Sequence, residues 1–209
     1  MIEIRLATKN DTKKNITKVA DMMYSAGPEI YDFIYKTDDT TPVEFIEYEF
    51  KSGIGFCGYK NVTLALKDDT IVGTGCFYDG HAYKKLLFGT LYNMFKFYGL
   101  FKIWKVLERS GHAGQVMEEP LKKELYLSNF GVSPEVRGTG LGSKMLENKI
   151  EFSRNSGYLI FSLDVADTNP RAEALYTRHG LAVVKTKTFK GKREGIAVPD
   201  SKKMELVLT

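Results

Sequence analysis

The chain has 209 residues, of which 43% are hydrophobic, 12% aromatic and 27% charged. That length gives one domain with enough chain for a core, and the composition lies far from the low-hydrophobicity, high-charge signature of disorder. Thirty Lys and Arg against 26 Asp and Glu leave a net charge of +4, a mild surplus that favours anionic ligands but is too small and too evenly spread to imply nucleic acid.

Residues Ile2 to Ala7 alternate apolar and charged side chains as a strand does, and the start of the chain lacks the apolar stretch of a signal peptide. Asn10 or Asp11 then caps a helix through Val19, Met22 and Met23, which stops near Gly27-Pro28, and a second helical stretch runs from about Thr41 to Phe50. Val62 to Lys67 and Ile71 to Tyr78 are apolar, β-branched runs joined by a short polar turn, an antiparallel hairpin. Residues 81 to about 118 are dense in Leu, Phe, Tyr and Lys and read as helix. Cys57 and Cys76 match neither a disulfide framework nor a metal pattern, so no metal is expected and a reducing, cytoplasmic location is.

Glu124 to Val132 is the next strand, and a helix from about Thr139 to Asn155 follows a glycine-rich turn. Tyr158 to Val165 reads as a buried strand. Pro170 opens a helix that Gly180 closes, and Leu181 to Phe189 and Met204 to Leu208 are two last strands, separated by a loop from Gly191 to Lys203. This order predicts an α/β fold: one domain over residues 1–209, with a mixed central sheet flanked by helices and a helical insert between the third and fourth strands.

The sharpest feature is Val132-Ser133-Pro134-Glu135-Val136-Arg137-Gly138-Thr139-Gly140-Leu141-Gly142, between a strand and a helix. Glycines let the backbone approach a ligand, and the first-turn amides of a helix have no internal partners, so together they suit an anion such as phosphate. The plain alternative is a tight turn whose glycines serve geometry alone. There is no G-K-[ST] after the last glycine, and the spacing is R-G-x-G-x-G rather than G-x-G-x-x-G, so neither familiar nucleotide loop applies. In a second cluster, Asn169 stands where a helix N-cap would be, serving either to cap the helix or to bond a ligand amide. Tyr176 lies two helical turns on and shares its face.

Together the two clusters resemble the GNAT superfamily of N-acetyltransferases. Arg137-Gly138-Thr139-Gly140-Leu141-Gly142 matches its R/Q-x-x-G-x-G/A signature, and Asn169, Ala172, Leu175-Tyr176 and Gly180 match its N-x-x-A-x-x-L-Y-x-x-x-G block. Leu181 stands where phenylalanine is common. The resemblance covers residues 124 to about 190 closely, and residues 1 to 78 through element order alone. It implies acetyl-CoA as co-substrate, its pyrophosphate held by the amides of Gly138, Thr139, Gly140, Gly142 and Ser143, with Arg137 shaping the loop and supplying charge. It further implies that the strand end at Phe130-Gly131-Val132 pairs with pantetheine, that the N–H near Val132 polarises the thioester carbonyl, and that Tyr176 protonates the departing thiolate. Asn169 joins this cofactor-binding set.

A base is needed wherever the acceptor is a lysine-like amine of pKa about 10.4. Glu124 begins the acetyl-bearing strand and is the candidate, against the reading of a solvated surface charge. Glu47, Glu49, Asp79 and His81 flank the acceptor side in this superfamily and are further candidates, whereas His112 and His179 support no hydrolase triad.

The insert carries much apolar surface, but its lysines interrupt every run well short of the roughly 20 residues that a bilayer span requires. It reads as a helical hairpin packed on the sheet, as a face for a homodimer, as an acceptor lid using Tyr83, Phe88, Tyr92 and Trp104, or as a basic interfacial helix. The leading function is acetyl transfer to an amine acceptor, a small molecule before a protein amine. The rivals are a non-catalytic acyl-CoA-binding module and a membrane-surface protein.

Overall fold

Three strands from the first eighty residues pair in sequence order, as their alternating patterns predict. They are β1 (Ile2–Leu6), β2 (Val62–Lys67) and β3 (Thr70–Tyr78), all antiparallel. The β2–β3 turn places Asp68 and Asp69 at positive φ, the twist a tight hairpin turn requires. The computed structural model describes residues 2–114, 116, 118–191 and 195–208. Four more strands, β4 (Glu124–Val132), β5 (Ile160–Ala166), β6 (Ala182–Lys187) and β7 (Ser201–Val207), complete a seven-stranded sheet of order β1-β2-β3-β4-β5-β7-β6. The expected mixed α/β sheet is therefore present, its one parallel pair being β4 with β5.

That pair positions the site. Hydrogen bonding between β4 and β5 covers only Glu124–Leu127 against Ile160–Leu163, although both strands continue. Beyond Leu127 the register of β4 on β3 shifts, and Asn129 takes φ 50°. Asparagine is among the few residues other than glycine that tolerate this conformation. The two strands thus part, and a cleft opens between them.

Helices cover both faces. On one lie α1 (Ile16–Tyr24) and α3 (Pro42–Ser52), against which Val62, Leu64 and Leu66 of β2 pack. On the other, α5 (Leu141–Asn155) covers Ala65 and Val72, and α6 (Pro170–Arg178) joins it over β4 and β5. Gly131 is required by the first layer: a Cβ there would come within 2.1 Å of the Met22 carbonyl oxygen, so α1 rests directly on the β4 backbone.

The first helix differs from its expectation. Asp11 does not cap it; residues Lys9–Lys13 form a 3-10 turn in which the Asp11 carboxylate accepts from Thr8 N at 2.6 Å and Arg5 at 2.9 Å. Asn15, at φ 52°, then separates that turn from α1. An additional helix, α2 (Pro28–Tyr35), follows at once, because Gly27-Pro28 not only ends α1 but also starts the next helix, with proline at the position where its missing N–H costs nothing.

The insert forms α4 (Gly80–Ala113), broken at Gly99, and it packs chiefly on α2 and α3, meeting the sheet where Tyr83 lies against Tyr78 at the end of β3. Its inner face supplies Met94, Tyr98, Ile103 and Val106 to a second core with Phe33, Ile34 and Phe45. Asn93, fully buried, donates to Glu49 Oε1, Ser52 Oγ and the Ile54 carbonyl at 3.1 to 3.3 Å, which fixes the register of α4 on α3. At the other end of the chain β7 starts at Ser201, three residues before the expected Met204, which shortens the preceding loop.

Candidate functional site

The glycine-rich turn is held in shape by its own backbone. Ser133 N donates to the Val72 carbonyl at 2.9 Å, Arg137 N to Pro134 at 3.2 Å, and Arg137 Nε to the Val132 carbonyl at 3.1 Å. Gly138 and Gly140 sit at φ 82° and 83°, where an L side chain is strained, so geometry alone explains these two glycines. Gly142 is different. Its φ is not positive, and a Cβ would meet Leu175, Phe130 and Val132 only at ordinary contact distances of 3.5 to 3.8 Å. Neither backbone nor packing demands glycine there, which leaves close approach of a ligand as its physical reason.

Helix α5 begins at Leu141 with no side-chain cap and no acid in its first turn. Its first amides and the positive end of its dipole therefore face the cleft without an internal counter-charge. A cavity of about 430 Å³ lies against them, lined by Arg137, Gly138, Gly140, Gly142 and Ser143, and also by Phe130, Val132, Asn169 and Tyr176. Arg171 and Arg178 of α6 join Arg137 on its wall, and among the described residues no acid lines it. Thr139, the remaining loop residue of the sequence-derived set, turns its hydroxyl back onto the Val136 carbonyl at 2.8 Å and is not part of the wall.

A second cavity of about 180 Å³ continues along the parted strands. Ser25, Phe130, Asn169, Ala172 and Tyr176 border both cavities, so Tyr176 stands where the two meet. The lining of the smaller cavity has the opposite charge. Glu29, Asp164 and Asp200 line it, and among the described residues no lysine or arginine does, although the Asp164 carboxylate is paired with Lys187 behind the wall. None of these three was legible in the sequence, because they come from α2, β5 and the segment before β7, with no spacing to connect them. Only α2 left a signal, the Gly27-Pro28 start followed by apolar residues at helical spacing.

Tyr176 is 7% exposed, and its neighbours in the core are apolar. Burial pushes its hydroxyl well above the usual tyrosine range, so the group stays protonated and is suited to donate a proton. Asn169 caps α6 with Oδ1 accepting from Ala172 N at 3.1 Å while still bordering both cavities, so capping and a place at the cleft coincide. Deeper in the smaller cavity, the Tyr126 hydroxyl donates to Asp164 Oδ2 at 2.9 Å, and Lys187, almost wholly buried, donates to both carboxylate oxygens. Burial pushes the Asp164 carboxyl up, and the Lys187 bonds oppose that. On the opposite wall the Tyr31 hydroxyl donates to Asn129 Oδ1 at 2.7 Å, which ties α2 to the kink in β4.

Glu124 is not brought to this cleft. It sits where β4 and β5 are still hydrogen-bonded, about 16 Å of strand from Asn129 at roughly 3.3 Å per residue. Nor is it a solvated surface charge: it is 1% exposed, accepts from Ser162 Oγ at 2.5 Å, and pairs with Lys203 at 3.1 Å. Glu124→Gln should therefore act through stability, because losing one partner of a buried ion pair costs about 3–5 kcal/mol. The expected result is a clear fall in melting temperature, with the pH dependence of turnover in the surviving folded protein unchanged. A pH profile displaced by this substitution would return Glu124 to the chemistry.

The other carboxylates proposed from sequence are also engaged elsewhere. Glu47 accepts from Thr17, Glu49 is buried beneath α4, and Asp79 caps α4 through Ala82 N at 2.9 Å. His81 is exposed at the start of α4, and none of these four borders either cavity. The insert does not wall the cleft either. Tyr83 packs on Phe56 and Tyr78, and Phe88, Tyr92 and Trp104 are exposed on the outer side of α4. The wall belongs instead to Ser25 to Tyr31 and to Val198 to Ser201.

Comparison with known proteins gives the family and matches the fold. Residues 23–181 match the Acetyltransferase (GNAT) family. A thialysine N-epsilon-acetyltransferase from Sus scrofa is 38% identical over 58 residues, 28% of this chain; the matched stretch spans only 34% of that protein. An N-acetyltransferase from Staphylococcus aureus Mu50 superposes with a TM-score of 0.69 at 16% identity, covering 98% of this chain and 100% of its own. The structure of yncA from Salmonella typhimurium with its cofactor acetyl-CoA superposes at 0.52 and 16% identity, covering 100% of this chain and 95% of its own.

Proposed function

The chain belongs to the acetyltransferase (GNAT) family, and on that premise we propose that it transfers the acetyl group of acetyl-CoA directly to a small, cationic primary amine, both substrates being bound at once. The observation that carries the reading is the division of charge along the cleft. Three arginines and a helix N-terminus line one cavity, three acidic residues, of which Asp164 is paired with Lys187, line the other, and Tyr176 lies between them.

The larger cavity suits a polyphosphate: the amides of Gly138, Gly140, Gly142 and Ser143 and the Arg137 guanidinium bind anionic oxygens, and Gly142 leaves room for their approach. Phe130, Val132 and Asn169 border the path from there toward the smaller cavity. Bound acetyl-CoA supplies an acetyl thioester, in which the C–S bond breaks as the new C–N bond forms. The ammonium first gives one proton to solvent so that the neutral amine attacks; Tyr176 holds a proton at its phenolic oxygen and delivers it to the departing sulfur, and the proton that the nitrogen releases on acylation restores the phenol. Glu29 and Asp200 attract and orient an ammonium group, Asp164 being already paired with Lys187, and the small volume excludes bulky acceptors. The name of the pig relative records a thialysine acceptor, which supports an amine of this class.

The test is a screen of amines that follows the free thiol of CoA. Cationic primary amines should turn over, and matched anionic acceptors should not. Glu29→Gln should raise KM for the best cationic acceptor by about 5- to 10-fold, the effect of one carboxylate about 3–4 Å away in a cleft open to water, and leave KM for acetyl-CoA unchanged. An acceptor preference that is indifferent to charge, or an unaltered KM in the variant, would remove the acidic cavity from the proposal.

A further inference from the structure

The outer face of α4 has no partner among the described residues and no part in the cleft. It exposes Phe88, Tyr92, Phe95, Leu100, Phe101 and Trp104, with Phe101 96% and Trp104 73% accessible. Scattered apolar residues on a surface are ordinary, but six large ones along one helix are not. In its first half they recur at helical spacing, Phe88, Tyr92 and Phe95, flanked by Lys85 and Lys96. The break at Gly99, with φ 67° and no atom within 4 Å of a Cβ, lies in the open, and Leu100 and Phe101 follow it at the most exposed point.

Charge decides what this face meets. From His81 to Leu107 the sequence holds five lysines and no acid, and all five are exposed. Lys102 is paired with Asp39 from the loop after α2. A two-fold dimer through this face would set the same lysines against one another, since such an interface meets its own copy. No helix among the described residues is long and apolar enough to cross a membrane. Lysines interleaved with Phe, Trp and Leu match a surface that is anionic outside and apolar just beneath, where aromatic rings sit at headgroup depth and lysines stay with phosphates.

We infer that the outer face of α4 docks the protein on an anionic phospholipid bilayer, with Leu100, Phe101 and Trp104 entering the interface. This is independent of acetyl transfer and needs no CoA. Trp104 is the sole tryptophan, so its fluorescence reports the event. The intact protein should show a blue shift and co-sediment with phosphatidylcholine vesicles that contain phosphatidylglycerol, and should do neither with phosphatidylcholine alone. Salt of about 1 M, where the screening length falls to about 3 Å, should release it. Replacing Lys84, Lys85 and Lys96 together by Gln should weaken partitioning roughly 100-fold, as expected from the attraction of each lysine to an anionic leaflet. Leu100→Ser with Phe101→Ser should weaken it at least about 10-fold. These side chains are exposed, so both variants should keep the parent melting temperature, which separates lost docking from lost fold. The proposal is overturned if anionic vesicles leave Trp104 unshifted, or if the Ser variant partitions as well as the parent. A blue shift that instead follows protein concentration without vesicles, with sedimentation as a dimer, would assign the face to self-association.

Discussion

Tyr176→Phe is expected to lower turnover by about 100-fold or more, the scale on which a positioned general acid acts, while acetyl-CoA affinity stays close to that of the parent. The ring is held among apolar residues of β4, β5 and α5, and its hydroxyl makes no hydrogen bond among the described residues. Removing one oxygen therefore leaves the packing intact, and the melting temperature should not fall. Burial raises the phenolic pKa in the folded protein, so Tyr176 still holds its proton at pH values where an exposed tyrosine, at about 10, begins to lose it. The sign follows directly: the folded state binds this proton more tightly than the unfolded chain, so stability from this group declines only as pH rises above about 10. The ratio of parent to Phe-variant turnover should accordingly be flat from about pH 7 to about pH 10. A ratio near one would make Tyr176 a packing residue, and a ratio that collapses near neutrality would give the proton to another group.

The same tyrosine shows what a sequence can and cannot disclose. Tyr176, Asn169 and the turn from Arg137 to Gly142 were legible because each cluster is local, and its spacing alone fixes the conformation. The acidic cavity was not. Glu29, Asp164 and Asp200 are distant in the chain and meet only because β4 leaves β5 after Leu127. That departure rests on the positive φ of Asn129, and an asparagine inside an apolar strand is a weak signal by itself. Glu124 misled for the converse reason. It lies on the expected strand, but at the end where that strand is still paired, and burial with Ser162 and Lys203 gives it a different role. In the insert, apolar density suggested a buried hairpin, a dimer face, a pocket wall or a basic interfacial helix. One face of α4 is buried against α2 and α3, yet the other is nearly as apolar and faces outward, and composition could not separate the two faces.

Gly140→Val is expected to abolish the rise in melting temperature that acetyl-CoA gives the parent, a rise worth about 2.7 kcal/mol at a hundred times its Kd. A valine at φ 83° is strained, at about 1–2 kcal/mol, but its Cβ meets no protein atom within 4 Å, so the apo fold should survive with a melting temperature only a few degrees lower. That result alone leaves a doubt between a distorted turn and a blocked ligand, and Gly142→Ala removes it. At Gly142 φ is ordinary, the Cβ finds only normal contacts with Leu175, Phe130 and Val132, and alanine is the better helix former. The apo protein should therefore be as stable as the parent or more so, while the added methyl stands where the anion comes closest. Weakened acetyl-CoA binding in this unstrained variant would tie the glycine to the ligand. If Gly142→Ala binds acetyl-CoA as tightly as the parent, the turn needs its glycines only for its own geometry, and the arginines of α6 and the dipole of α5 must carry the anion without close backbone approach.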